Sequence, residues 1–343
     1  MKKFAVLLLF IITTLSSPNL FAQCPTGNVS LSNQQSVDQF VADYPNCTKI
    51  SGYLYINGNT INDLSGLSKI KEITSYLYIA NTQTTKIDFK ELQSVGGHLT
   101  LSKNSELVEV DFTQVTTANG NLYFQRNLKL EVVDLTNLIT NKGDIYFQQN
   151  TALKNINICQ LGSIKGYFYL FQNTSLTTIC FDNLNKVNGY FLIEQSNLEN
   201  LNTFKNLVTV GNYLSISDNP SLTSCSGLCN LLNGNGVNGN ITFQNNPSAC
   251  STVNEVKNSC SALAVENELA TNFNIYPNPT NGVLNFNYDL IGANYQISDM
   301  SGRVIKNKII KSNTIDISEF KSGVYYLSII NGSTTYTQKI IKK

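Results

Sequence analysis

Gly120-Asn-Leu-Tyr-Phe124, Gly143-Asp-Ile-Tyr-Phe147 and Gly166-Tyr-Phe-Tyr-Leu170 are one five-residue phrase written three times, 23 residues apart. The phrase continues in both directions. Upstream stand Gly52-Tyr-Leu-Tyr-Ile56, Ser75-Tyr-Leu-Tyr-Ile79 and Gly97-His-Leu-Thr-Leu101; downstream stand Gly189-Tyr-Phe-Leu-Ile193, Asn212-Tyr-Leu-Ser-Ile216 and Gly239-Asn-Ile-Thr-Phe243. The steps between starts are 23, 22, 23, 23, 23, 23, 23 and 27. A fixed period in this range specifies stacked coils, each unable to bury its apolar face alone. Within the phrase the third and fifth positions are always apolar and so face inward, while the second and fourth vary and face outward. More apolar positions follow in each coil, as in Leu130, Val133, Leu135 and Leu138, then Leu153, Ile156, Ile158 and Leu161. Nine strands at about 4.8 Å predict a rod of roughly 38 Å between first and last.

Seven residues after the opening glycine an asparagine recurs: Asn59, Asn104, Asn127, Asn150, Asn173, Asn219 and Asn246, with Thr82 and Ser196 in the other two coils. Asparagine tolerates corner dihedrals, and its amide both donates and accepts. The expectation is an inward, stacked ladder that satisfies backbone groups where the chain leaves the strand. A metal ladder is the competing reading, but it lacks carboxylates beside the row.

The region 51–250, with its 23-residue spacing, Gly-x-Leu-x-Ile strand, asparagine row and cysteine-bearing end Cys225-Ser-Gly-Leu-Cys229 … Cys250, resembles the receptor L-domain and its leucine-rich-repeat-like relatives. The resemblance implies an all-β fold, a right-handed single-stranded β-helix-like solenoid, and a habit of binding. A second L-domain, a cysteine-rich spacer, a membrane span and a kinase are all missing, so hormone signalling is not implied.

Composition fits an all-β surface protein. The 343 residues carry 24 Lys+Arg against 23 Asp+Glu, so the clustered positive charge that nucleic-acid binding calls for is lacking. Charged residues are 14% but hydrophobic residues 42%, which excludes a disordered chain. At the start, Lys2 and Lys3 precede an apolar run from Phe4 to Leu15 and a small residue at Ala22. Residues 1–22 are therefore expected to be a signal peptide, its apolar core too short to span a bilayer permanently. A lipoprotein reading through Cys24 competes, though Gln23 sits poorly before an acylated cysteine. No later segment reads as an integral membrane span.

All eight cysteines follow the signal: Cys24, Cys47, Cys159, Cys180, Cys225, Cys229, Cys250 and Cys260. Export and an even number favour disulfides over zinc or thiol catalysis. Cys24 and Cys47 bracket a cap at 23–50, in which Ser36-Val-Asp-Gln39 reads as a capping box opening a short helix that stops at Pro45. Cys159 and Cys180 are 21 apart against a coil of 23, so they fall close on adjacent coils. The last four form two bridges closing the far end of a solenoid at 51–260, their connectivity open.

After a linker at 261–271, residues 272–343 read as short alternating strands with Asn-Gly and Ser-Gly turns, a small Ig-like antiparallel β-sandwich; Asn331-Gly332 signals a hairpin. Tyr276-Pro277-Asn278-Pro279 with Gly282, then Asp299-x-x-Gly302-Arg303, Gly323-Val-Tyr325 and the closing run from Lys339 are similar to the type IX secretion C-terminal sorting domain, type A, of Bacteroidetes. The resemblance implies passage across the outer membrane to the cell surface or medium, with the type IX machinery and its surface peptidase as partners.

Catalytic chemistry is sparse. His98 is the only histidine, so no two-histidine metal site exists, and no cofactor motif is present. Two outward columns follow from the period: Tyr55, Tyr78, Thr100, Tyr123, Tyr146, Tyr169, Leu192, Ser215, Thr242; and Asn57, Ala80, Ser102, Gln125, Gln148, Phe171, Glu194, Ser217, Gln244. Their one acidic residue is Glu194, which argues against glycosidase-type carboxylate pairs. Tyr123, Tyr146 and Tyr169 with Gln125, Gln148 and Phe171 form a stripe. It is either a structural aromatic ladder or a flat stacking platform for a glycan or a surface protein. The resulting expectation is a non-catalytic, exported binding or adhesion protein. A β-helix carbohydrate-active enzyme and a ligand-free surface spacer are the alternatives.

Overall fold

The computed structural model describes residues 24–260, 274–287, 290–331 and 334–343. The expected signal peptide and the linker 261–271 lie outside the described residues, as does Gly332 of the hairpin. The chain divides into two compact units after Val256.

The first unit is a parallel β-solenoid with three sheets. The phrase found in the sequence forms the largest, with successive strands such as Leu122–Gln125 and Ile145–Gln148 paired in parallel at a register of one coil. This sheet has ten strands, not nine. The extra one is Val29–Leu31, from the cap, paired with Leu54–Asn57. It was invisible to the period because it precedes the first repeat. A second sheet of eight two-residue strands runs from Lys49–Ile50 to Thr209–Val210, and a third of five runs from Lys86–Asp88 to Thr178–Cys180.

Alternation decides which side chains meet in the core. Leu122 and Phe124 are fully buried, as are Leu130, Val133, Leu135 and Leu138 further round the same coil. Like stacks on like: the Phe124 and Phe147 rings lie 4.7 Å apart and nearly parallel. Each fully buried side chain of this size contributes about 1.5–3 kcal/mol relative to exposure.

The ladder forms with one exception. Asn104, Asn127, Asn150, Asn173, Asn219 and Asn246 are buried, together with Thr82 and Ser196. Asn150 is typical: its Oδ1 accepts from the Asn127 N–H at 3.1 Å and its Nδ2 donates to the Phe124 carbonyl at 2.8 Å. The expectation fails at Asn59, which is exposed. In later coils the loop amide bonds the ladder residue itself, Leu107 to Asn104 and Leu130 to Asn127; in the first coil Ile61 bonds Gly58 instead. Gly58 thus takes the ladder position, one residue early. Any side chain there would collide with the cap, since a Cβ on Gly58 would stand 2.0 Å from the Ser32 carbonyl oxygen.

The cap helix is Gln34–Asp43, burying Val37 and Phe40. Its capping box is one turn earlier than expected: Asn33 is the N-cap and Ser36 the third helical residue, each side chain bonding the other's backbone. Asparagine at 33 supplies a better-placed acceptor for the Ser36 N–H than Ser36 could for Gln39. All eight cysteines are bonded: Cys24–Cys47, Cys159–Cys180 and Cys225–Cys250, with Cys229 and Cys260 disulfide-bonded as well.

The second unit is an antiparallel sandwich. Strands Ile275–Tyr276, Val283–Phe286 and Thr314–Asp316 form one sheet; Asn294–Asp299, Val304–Ile309, Gly323–Asn331 and Thr334–Lys342 form the other. Leu284, Ile297, Ile317, Leu327 and Ile340 are fully buried between them. Among the described residues of both units, no helix is long and apolar enough to cross a membrane.

Candidate functional site

The outward columns lie where the register puts them. Tyr123 pairs with Tyr146, Tyr146 with Tyr169, and beside them Gln125 with Gln148 and Gln148 with Phe171. All six are half-buried. Tyr123 and Tyr146 stack at 5.1 Å. Tyr146 and Tyr169 instead meet edge-on, 74° apart at 5.6 Å, while Tyr169 stacks on Phe171. The stripe is therefore not the single flat plane expected. Phe171, larger than the glutamines above it, offers Tyr169 a ring on its own coil and turns it away from Tyr146. The side-chain amides of Gln125 and Gln148 make no hydrogen bond among the described residues. Burial pushes the Tyr146 hydroxyl up to about 12, with Asp144 adding to the effect, and burial also raises Tyr169 and Tyr78.

The second position of the phrase, legible in the sequence only as variable and outward, forms a third row: Tyr53, Tyr76, His98, Asn121, Asp144, Tyr167, Tyr190, Tyr213 and Asn240. Tyr53 and Tyr76 stack at 4.6 Å, and Tyr167 and Tyr190 lie 4.7 Å apart. Between these clusters the row changes chemistry. His98 Nδ1 accepts from the Asn121 N–H, Asn121 Oδ1 from the Asp144 N–H, and Asp144 Oδ1 from the Tyr167 N–H, at 2.7–2.9 Å. His98 precedes the strand rather than lying in it, and it holds coils together. The signal was available: all three residue types are side-chain acceptors.

Carboxylates do stack, but on the third sheet. Asp88, Asp111 and Asp134 are in register. Asp111 and Asp134 each accept from the backbone and hydroxyl of the threonine two residues on, Thr113 and Thr136. Asp88 faces Lys90 at 3.1 Å. These groups turn the chain out of the sheet. Glu194, the one acid in the first two outward columns, accepts from Ser215 Oγ at 2.9 Å.

At the end of the large sheet each coil from the second onward turns at a residue with φ near +55°: Asn81, Lys103, Arg126, Gln149, Gln172, Gln195, Asp218 and Asn245. Non-glycine residues rarely adopt this conformation, yet here it recurs in coil after coil, because it is what points the following ladder residue inward. Sequence reading missed this row because no one side-chain chemistry runs through it. It borders a groove of about 960 Å³.

In the second unit the motif residues hold turns and strand ends. Asn278, between Pro277 and Pro279, donates to the Lys339 carbonyl at 2.7 Å and accepts from the Ile341 N–H at 2.9 Å. Asp299 Oδ1 accepts from the Ser301 and Arg303 N–H groups across a turn in which Gly302 has φ +83°. These bonds hold the Asp299 carboxyl below its usual range, the Ser301 hydroxyl contributing most. Gly282 has φ +155°, and a Cβ there would stand 2.2 Å from Ser318 Oγ. The Tyr325 hydroxyl donates to the Lys321 carbonyl at 2.9 Å. A Cβ on Gly323 would make only ordinary contact with the Tyr325 ring, 3.7 Å away, so nothing local demands a glycine there.

Residues 274–343 match the family model described as a secretion system C-terminal sorting domain. The tail engages the type IX secretion machinery and marks the chain for export to the cell surface or the extracellular space. No curated protein matches the chain. Residues 46–165 and 171–261 match the model described as the receptor L domain, a stretch that begins in the cap before the first full coil and ends one residue after Cys260. With well over half its length in those two matches, the chain belongs to the receptor L domain family.

Proposed function

We propose that the protein is a non-catalytic binding or adhesion protein, carried outward by its sorting unit and displaying the large-sheet face of the solenoid to a glycan or a surface protein. The observation that carries the reading is the combination at Tyr123, Tyr146, Tyr169 and Phe171 with Gln125 and Gln148. Aromatic rings are held by a rigid parallel stack, and two amides beside them are unengaged. Such a surface offers apolar area at low entropic cost, with hydrogen-bonding groups that need little reorganisation. The carboxylates that a β-helix hydrolase would need are occupied in turns at Asp111 and Asp134. Removal of the tail by a surface peptidase is part of the same proposal.

A glycan array and a host-matrix panel, probed with the folded protein, test this reading. Retention on a defined ligand, lost when Tyr123, Tyr146 and Tyr169 are all changed to Ser with melting largely preserved, supports it. Retention unchanged in that triple variant returns the stripe to a structural aromatic ladder. Release of shortened glycan products would replace the reading with the enzyme alternative.

A further inference from the structure

We infer that the groove along the corner after the large sheet is a second binding site, built for an unbranched acidic glycan. The inference rests on the chain being a binding protein but not on the tyrosine stripe.

The groove exists because of the ladder. Each ladder residue points inward, so the residues before and after it point out and form two parallel rows with a trough between them. One row is Lys103, Arg126, Gln149, Gln172, Gln195 and Asp218; the other includes Leu128, Thr151, Thr174 and Pro220. Six coils at about 4.8 Å make a trough roughly 24 Å long. A site repeating at that spacing suits a polymer whose own unit recurs at a similar spacing, which is the case for a linear chain of pyranoses.

The chemistry along the trough narrows the polymer. Arg126 Nε donates to Gln149 Oε1 at 2.8 Å, and Gln149 Nε2 donates to Gln172 Oε1 at 2.9 Å. This relay fixes the long side chains in advance and leaves the Gln172 amide N–H groups and the whole Gln195 amide without a hydrogen bond among the described residues. Neutral amides facing threonine methyls, a leucine and a proline match the alternating hydroxyls and C–H faces of a sugar chain. An extended peptide would gain its affinity by adding to a free backbone edge. That edge is missing: the N–H groups of Lys103, Arg126, Gln149 and Asp218 are spent on the carbonyls of Gln125, Gln148, Phe171 and Gln244.

Charge sets the class. Lys103 and Arg126 sit together at one end, and neither is ion-paired among the described residues, whereas Lys86, Lys129 and Lys154 elsewhere on the solenoid each face a glutamate. The one carboxylate in the groove, Asp218, is at the opposite end and accepts from Asn245. The cationic end fits a uronate carboxylate or a sulfate ester; Arg126 keeps its terminal nitrogens for a bidentate contact with either.

Affinity electrophoresis of the full chain tests the inference, with a linear polyuronate, a linear sulfated galactan, a neutral linear β-glucan and polyglutamate as four probes. The expected result is retardation by the polyuronate or the sulfated galactan, whichever carries the matching anion, at least tenfold stronger than by the β-glucan or polyglutamate. Lys103→Gln with Arg126→Gln should remove that tenfold advantage. Gln172→Asn with Gln195→Asn, chosen because asparagine tolerates the left-handed corner, should weaken binding about threefold or more with melting unchanged. Equal retardation by polyglutamate would overturn the inference, leaving charge attraction alone. So would acidic-glycan binding that survives both groove variants but is lost in the Tyr123, Tyr146 and Tyr169 triple; in that case the groove fails while the stripe stands. Absence of binding to all four probes overturns the groove and leaves the stripe to its own array.

Discussion

Two asparagines, one in each unit, do the same chemistry in opposite settings. Asn150 in the solenoid and Asn278 in the sandwich each accept from one backbone N–H and donate to one backbone carbonyl. Asn150 is fully buried, and its counterparts repeat above and below it. Asn278 is exposed and has no counterpart, because the turn it closes occurs once. In a parallel stack every position touches its own equivalent, so a solution found in one coil is repeated by its neighbours. In an antiparallel sandwich each turn is a separate problem, and its residues stand as isolated motif positions. That difference explains why one unit reads as a period and the other as a signature.

The comparison breaks most visibly under reduction. All eight cysteines lie in residues 24–260, and the sandwich has none. Loops closed by separations of 23, 21 and 25 residues are worth about 3 kcal/mol each in the chain-entropy picture. Calorimetry with a thiol reductant should move the solenoid transition down by many degrees and leave the sandwich transition in place. Movement of both would mean that the units do not melt independently. Substituting the asparagines gives a smaller effect. Asn150→Leu strands the Asn127 N–H and the Phe124 carbonyl away from water and should cost about 1–3 kcal/mol for each group left unpaired. Asn278→Leu leaves its partners within reach of water and should cost about 1 kcal/mol. Equal losses by denaturant titration would remove burial as the distinction. The smallest effect is alkaline. With the Tyr146 hydroxyl raised to about 12 by burial, the folded protein keeps a proton that the unfolded chain releases near 10. Stability is then retained below about pH 10 and declines as pH rises from there through about 12. Tyr146→Phe should flatten that decline, and an unchanged slope would place the loss at other tyrosines.

Much of this was legible because the solenoid repeats. The inward Leu and Ile positions, the large-sheet register, and the ladder from Asn104 to Asn246 all follow from spacing alone. The exceptions occur where a coil meets something other than a coil. Asn59 lost its place because the cap backbone at Ser32 fills the space a ladder side chain needs, leaving room for Gly58 alone. Val29–Leu31 joined the sheet without belonging to the period. The corner row from Lys103 to Asp218 was illegible for another reason: what recurs there is a backbone conformation, which six side chains of three chemistries satisfy equally well. His98, Asn121 and Asp144 looked merely variable, yet all three accept a hydrogen bond from the next coil. In the sandwich the motif positions were legible as a set, while what each one holds required coordinates.

The central claim is that the solenoid binds and the sandwich addresses. Fractionation of a type IX-competent host producing the chain without residues 272–343 tests it most directly. The account predicts that residues 24–260 accumulate in the periplasm, fully oxidised and with ligand retention equal to that of the intact protein. Delivery of the shortened chain to the cell surface or medium in normal amounts would contradict it.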